Sequence, residues 1–176
     1  MSDNIISYIE MSRREGTSLQ QGMNFGLGGN HSVILMSLRP NAPYRDKIED
    51  SGTMLIYEGH DHPKTAACPN PKVVDRPARS PFDRLTQNGR FYQAAQAFKL
   101  HRRPPERVRV YEKIRTGIWP YNGVFHLTDS WQERDEHRTV FKFCPLAVEG
   151  EEDFVQPARP DAQRRRIILT TVKLEV

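Results

Sequence analysis

The stretch 41–62, NAPYRDKIEDSGTMLIYEGHDH, decides how this chain is read. Its second half, TMLIYEG (53–59), is an apolar run of strand type. Two tyrosines, Tyr44 and Tyr57, bracket a charged turn that carries Asp46, and Gly59, His60 and His62 follow. Two readings of the tyrosines stay open. In one, Tyr57 is a core residue on an apolar strand and Tyr44 a surface ring beside a proline. In the other, the rings form a slot for a planar base whose Watson–Crick edge is read by an acid. Asp46 would then accept from the exocyclic amine of cytosine, since cytosine N4 is a donor.

The surroundings of this stretch favour a nucleic-acid partner. The 176-residue chain has 37% hydrophobic and 27% charged residues, an ordinary globular composition for about one domain. Its net charge of +4 is unevenly spread. Between His60 and Arg115 there are thirteen Lys/Arg against five Asp/Glu, which leaves the ends net acidic. A basic middle is the electrostatic footprint of a nucleic-acid binder. No apolar run is long enough for a membrane span and no signal peptide opens the chain, so the expectation is a cytoplasmic protein without a membrane partner. The two cysteines, Cys68 and Cys144, fit a reducing compartment and neither sits in a metal-binding spacing.

Working outward, residues 3–14 suggest a short amphipathic helix, and QQGMNFGLGGNH (20–31) a glycine-rich loop. SVILMSL (32–38) reads as a buried strand. Residues 60–81 hold five prolines and form a long loop of the kind that carries function. The spacing of Phe82, Leu85, Phe91, Ala94, Ala95 and Phe98 predicts a helix over 81–100, with Gly89 weakening its middle. RVRVYEKIR (107–115) alternates, which predicts a half-buried strand with Arg107, Arg109, Tyr111 and Lys113 on a basic outer face. Strands over 123–131 and 138–148 complete an α+β domain built on a closed or strongly curved antiparallel sheet. A charged linker over 149–166 and a fresh amphipathic start over 167–176 follow.

Catalytic patterns are scarce. His60 and His62 alternate and could share a metal, but no third ligand has a recognisable spacing. There is no G-x-S-x-G elbow and no P-loop, and GLGG (26–29) is not followed by a phosphate-binding helix pattern. The chain by itself does not look catalytic, and no cofactor is expected for it.

Several segments resemble one family in order. LQQGMNFGLGGNHSVILMS (19–37), PYRDKIEDSGTMLIYEGH (43–60), LTQNGRFYQAA (85–95) and the pair ERVRVYEK (106–113) and GIWPYNGVFHLTDSW (117–131) are similar to the SRA (SET- and RING-associated, or YDG) domain. The resemblance covers about 19–148 and implies a PUA-like curved β-barrel with one main helix and long DNA-probing loops. It implies binding of duplex DNA carrying 5-methylcytosine or 5-hydroxymethylcytosine by base flipping. Tyr44, Asp46, Tyr57, Glu58 and Gly59 would form the modified-base pocket. Asn24, Gly28, Asn30 and His31 on one loop, His60 and Lys64 on another, and Arg107, Arg109 and Lys113 on a strand would contact DNA.

This sequence departs from the family in three places. Tyr121-Asn122-Gly123 stands for Y-D-G, with a turn expected to survive the exchange. Glu58 replaces a common Thr or Ser, and one extra residue before Gly52 makes Lys47 an alternative to Asp46. The end of the chain, RRIILTTVKLEV (165–176), is similar to the lead-in of bacterial HNH endonuclease domains. That resemblance implies the reader part of a bacterial modification-dependent restriction enzyme, with a homodimer expected at full length, whose HNH part alone would need a divalent metal. The competing expectations are a metal-dependent hydrolase using Glu58, His60, Asp61 and His62, and a PUA-like RNA-binding module.

Overall fold

A computed structural model describes residues 5–19 and 22–150. In chain order the elements are β1 (Ile5–Ser7), α1 (Tyr8–Glu15), β2 (Met23–Leu27), β3 (His31–Met36), β4 (Lys47–Glu49), β5 (Met54–Glu58), α2 (Gln87–Lys99), β6 (Glu106–Glu112), β7 (Ile118–Arg134) and β8 (Thr139–Ala147). The strands form a single sheet in the order β2-β3-β6-β7-β8-β5-β4, with β1 added along the start of β7. The architecture is α+β, as the order of apolar segments implies. The sheet is mixed, however: β3 runs parallel to β6, where a wholly antiparallel sheet was expected. No described helix is long and apolar enough to cross a membrane.

Both faces of the sheet are covered, and this explains the burial of β6. Against one face α2 packs Phe91, Ala94 and Ala95 on Val108, Val110, Phe141 and Phe143. Over the other face lie Ile6 of β1 and Met11 of α1, clustered with Val33, Tyr111 and Trp119. The alternation in RVRVYEK predicts a basic, solvated outer face, but Tyr111 is fully buried and Arg109 nearly so. A second amphipathic element covers that face, and periodicity within one strand cannot reveal it. The charge on Arg109 is met there by Glu15 of α1, which also accepts from the Tyr111 hydroxyl and lies 2.6 Å from His31.

Three local features depart from expectation for physical reasons. Residues 5–7 are a strand and the helix begins at Tyr8, where Ser7 caps it by accepting from the Glu10 amide. The second helix starts at Gln87, because Thr86 is its N-cap and accepts from the Gly89 amide. Phe82 and Leu85 therefore precede that helix. Tyr121-Asn122-Gly123 is not a turn but a bulge inside β7: Val110 pairs with Gly123 and Tyr111 with Tyr121, so Asn122 is the extra residue. Gly123 has φ +103°, a conformation that favours glycine, and Asn122 Nδ2 donates to Glu112 Oε2 at 3.2 Å. The segments 151–166 and 167–176, the expected linker end and nuclease lead-in, lie outside the described residues.

Gly89 is a packing requirement. A Cβ there would sit 2.1 Å from the Ala78 carbonyl oxygen. That oxygen is fixed by the Thr86 amide at 3.0 Å and the Thr86 hydroxyl at 3.1 Å, so it cannot retreat without loosening the helix cap. Helix propensity alone predicts that Gly89→Ala stabilises by about 1 kcal/mol. We expect net destabilisation instead, because overpacking typically costs about 1–3 kcal/mol and here the obstacle is backbone. A lowered urea midpoint is the expected observation, and a raised one contradicts this packing.

Candidate nucleic-acid interface

The site is built around the loop that joins β3 to β4. Asp46 lies in this loop and ties the residue just after β3 to the last residue of β5, two strands that are not paired in the sheet. Its Oδ2 accepts from the Ser37 amide and its Oδ1 from the Glu58 amide, each at 3.0 Å. Each carboxylate oxygen keeps a further lone pair. Burial pushes the carboxyl up to about 6, although the amide bonds from Glu58 and Ser37 oppose the shift. Lys47, the alternative in the sequence, is exposed on β4 with no comparable fixation.

Two residues before Asp46, Tyr44 is half-buried. Its ring stacks on His60 with centroids 6.3 Å apart and planes at 29°. Lys72 Nζ is 4.7 Å and Arg76 Cζ 5.3 Å from its centroid, so cations surround the ring. His60 is held through its backbone: its N–H donates to Asn88 Oδ1 and its C=O accepts from Asn88 Nδ2, both at 2.9 Å. Burial, helped by the charge on Arg76, lowers its imidazole to about 4, so it is neutral at physiological pH.

Beneath this layer runs a buried ionic network that sequence reasoning missed. Glu58 pairs with Arg76 at 2.5 Å and Lys142 at 2.8 Å. Asp61 pairs with Arg76 at 3.0 Å, Arg138 at 2.8 Å and Lys72 at 2.7 Å. Burial alone would raise the Glu58 carboxyl, but the Lys142 and Arg76 hydrogen bonds outweigh it and hold the group below its usual value. The network also anchors the proline-rich loop: Arg138 donates to the Pro71 carbonyl at 2.6 Å, and the Thr139 amide donates to Asp75 at 2.6 Å. One signal was available in the sequence, namely Lys142 as the only charge in the buried strand TVFKFCPLA. A buried lysine needs a paired acid.

A cavity of about 230 Å³ opens beside Asp46 and Tyr44. Its walls include Ser37, Arg39, Ala42, Pro43, Lys113 and Trp119. This is below the roughly 300–1,000 Å³ of drug-sized sites and suits one heterocycle. Lys113 Nζ lies 5.6 Å from the Trp119 ring centroid, so the cavity combines an acid, two aromatic rings and cations. Trp119 was not among the expected site residues.

The other expected residues are distributed as follows. Tyr57 is 2% exposed, belongs to the main core and does not line this cavity. Its hydroxyl is so close to Gly22 that a Cβ on that glycine would sit 2.6 Å from it. Gly59 presses on α2, where a Cβ would lie 2.3 Å from Asn88 Oδ1. Asn24 of β2 pairs with Val33 of β3, Gly28 adopts φ +57° at the hairpin tip, and the Asn30 amide donates to the Leu27 carbonyl. His31 is engaged by Glu15, Lys64 is exposed in the proline-rich loop, and Arg107 is half-buried on β6. Arg109 faces Glu15 and the Tyr121 ring. Tyr44, Asp46 and Lys113 are thus brought together at one cavity, whereas Tyr57, His31 and Arg109 are committed to internal contacts.

Metal chemistry has no constellation here. Among the described residues no group of three or more His, Cys, Asp and Glu could hold an ion, and Asp61 is saturated by three cations.

The ionisation of Asp46 has a testable consequence. Its folded pKa of about 6 lies above its unfolded value of about 4. The folded protein therefore binds more protons in that window, and the contribution of Asp46 to stability is lost as pH rises from about 4 to about 6. Relative to Asp46→Ala, which cannot titrate there, wild-type stability should decline across that interval and run parallel above it. Parallel curves throughout would contradict the burial of this carboxyl.

No protein-family model and no curated protein sequence matches the chain. Solved structures do match. The SUVH5 SRA domain in complex with hemi-methylated CG DNA superposes with a TM-score of 0.55 at 21% identity, covering 84% of this chain and 90% of that one. The SUVH5 SRA complex with methylated CHH DNA gives 0.55 at 19% identity, covering 86% and 94%. SUVH5 SRA bound to fully hydroxymethylated CG DNA gives 0.50 at 23% identity, covering 80% and 79%. At such identities the likeness is one of architecture: this chain has the fold of the SRA domain.

Proposed function

We propose that this chain binds duplex DNA containing a 5-modified cytosine and receives the flipped base in the cavity beside Tyr44 and Asp46. The observation that carries the reading is Asp46, held by two backbone amides at the edge of a base-sized cavity next to an aromatic ring. The structures it resembles contain SUVH5 SRA domains with methylated and hydroxymethylated DNA, which supports the choice of ligand class.

Physical chemistry supplies the selectivity. Extruding a base costs a few kcal/mol, and stacking on an aromatic ring restores about 1–3 kcal/mol. Ionised Asp46 offers acceptor lone pairs to the cytosine N4 donor. Thymine also carries a 5-methyl group, but it presents the O4 acceptor at that place and would leave a buried carboxylate facing another oxygen. The acid therefore reads cytosine and the cavity wall reads the 5-substituent. Lys72 and Lys113 place positive charge near the entering phosphates. The reading extends to a role as the recognition part of a modification-dependent HNH endonuclease, on the strength of the sequence resemblance at 165–176.

Titration of otherwise identical duplexes carrying cytosine, 5-methylcytosine or 5-hydroxymethylcytosine tests the reading. Tyr44→Ala should weaken the modified duplexes by roughly tenfold to a hundredfold, the equivalent of one lost stack, and leave the plain duplex nearly unchanged. Equal affinity of the wild-type protein for all three duplexes would refute it.

A further inference from the structure

The most exposed large hydrophobic residue among those described is Phe82, with 86% of its surface open to solvent. It stands on a tightly bonded turn. The Ser80 amide donates to the Arg84 carbonyl at 2.8 Å, and the Asp83 amide donates to the Ser80 carbonyl at 3.0 Å. Arg79 and Leu85 form a bridge across the base of the turn, and Arg79 Nη1 donates to the Asp83 carbonyl at 2.8 Å. Asp83 itself has φ +58°, a left-handed conformation uncommon outside glycine that Asp adopts more readily than most residues. A turn so constrained holds an aromatic ring in water at a hydrophobic cost, with arginines exposed on either side at positions 79 and 84.

The surroundings of the turn link it to the proposed interface. Pro77, Thr86 and Gln87 share a cavity of about 310 Å³ with His60 and Asp61, and His60 is the ring on which Tyr44 stacks. Gln87 Oε1 accepts from the Phe25 amide at 2.9 Å, which ties β2 of the glycine-rich hairpin to the residues just after the turn.

We propose that Phe82 is a wedge that stacks on a base step of the bound duplex, independently of whether a cytosine is modified, while Arg79 and Arg84 engage the flanking phosphates. Insertion of an apolar side chain at a base step is an established way for proteins to grip and kink duplex DNA. Arg79 pairs with the exposed Asp83 carboxylate at 3.3 Å, and Arg84 leaves the turn net positive. A net cationic turn around one ring favours a polyanion with π faces over a second copy of the chain.

This inference rests on the reading of the chain as a duplex binder, but its probe is different: plain, unmodified duplex at low salt. Phe82→Ala should weaken plain and modified duplex alike by about tenfold, with an unchanged thermal midpoint because the side chain is exposed. In Phe82→Trp, the emission added over the wild-type protein should be quenched by plain duplex and shielded from iodide. Unaltered emission at saturating DNA would overturn the proposal. So would a loss in Phe82→Ala confined to the modified duplex, or a change in oligomeric state with DNA affinity intact. Failure of the wild-type protein to discriminate modified cytosine would instead sink the base-reading function and leave the wedge standing.

Discussion

The site depends on one guanidinium. Arg76 is fully enclosed and lies between Glu58 at the end of β5 and Asp61 at the start of the proline-rich loop. Taking such charges out of water costs several kcal/mol per ion, and only close, hydrogen-bonded partners offset it. Lys142 shares Glu58 with Arg76, and Arg138 and Lys72 share Asp61, so each carboxylate is held by more than one cation. The geometric result is that a loop with few apolar residues is fastened to β5 and β8. Tyr44 then rests above the same guanidinium and against His60. Removing Arg76 would leave two carboxylates underneath the ring without their common partner.

Asp46 performs the complementary task from the other side. By accepting from Ser37 and Glu58 it fixes the β3–β4 loop to the end of β3 on one side and to the end of β5 on the other. The carboxylate is thereby oriented before any ligand arrives, which lowers the ordering cost of binding. Glu58 links the two devices: its amide holds Asp46, and its side chain holds Arg76 and Lys142. A carboxylate at position 58 is therefore a structural counter-ion in this protein, with its oxygens already engaged.

Much of the fold was legible because strand and helix signals are local. SVILMSL and TMLIYEG read as strands and are β3 and β5, and the helix around Phe91 is α2. The parallel pairing of β3 with β6 was not legible, since strand direction depends on the connection and not on the strand's own residues. The burial of Arg109 and Tyr111 was hidden for a similar reason. Their partner Glu15 is ninety-six residues from Tyr111 and belongs to a helix whose packing face is not evident from β6. Of the candidate site, Tyr44 and Asp46 were legible as an aromatic beside an acid. Trp119 and the Arg76 network were not, because they come from distant segments. Tyr57 illustrates the limit most clearly: the same tyrosine suits a slot or a core, and here the packing of β5 against β8 puts it in the core.

The central claim, that a cytosine leaves the helix and enters the cavity beside Tyr44 and Asp46, can be measured directly. A fluorescent cytosine analogue that is dim when stacked should be placed at the modified position of the duplex. The account predicts that its emission rises when the wild-type protein binds, as the base leaves its neighbours, and that Asp46→Ala binds with little or no rise. Emission that stays dim at saturation, or rises equally with the Asp46 variant, would contradict it.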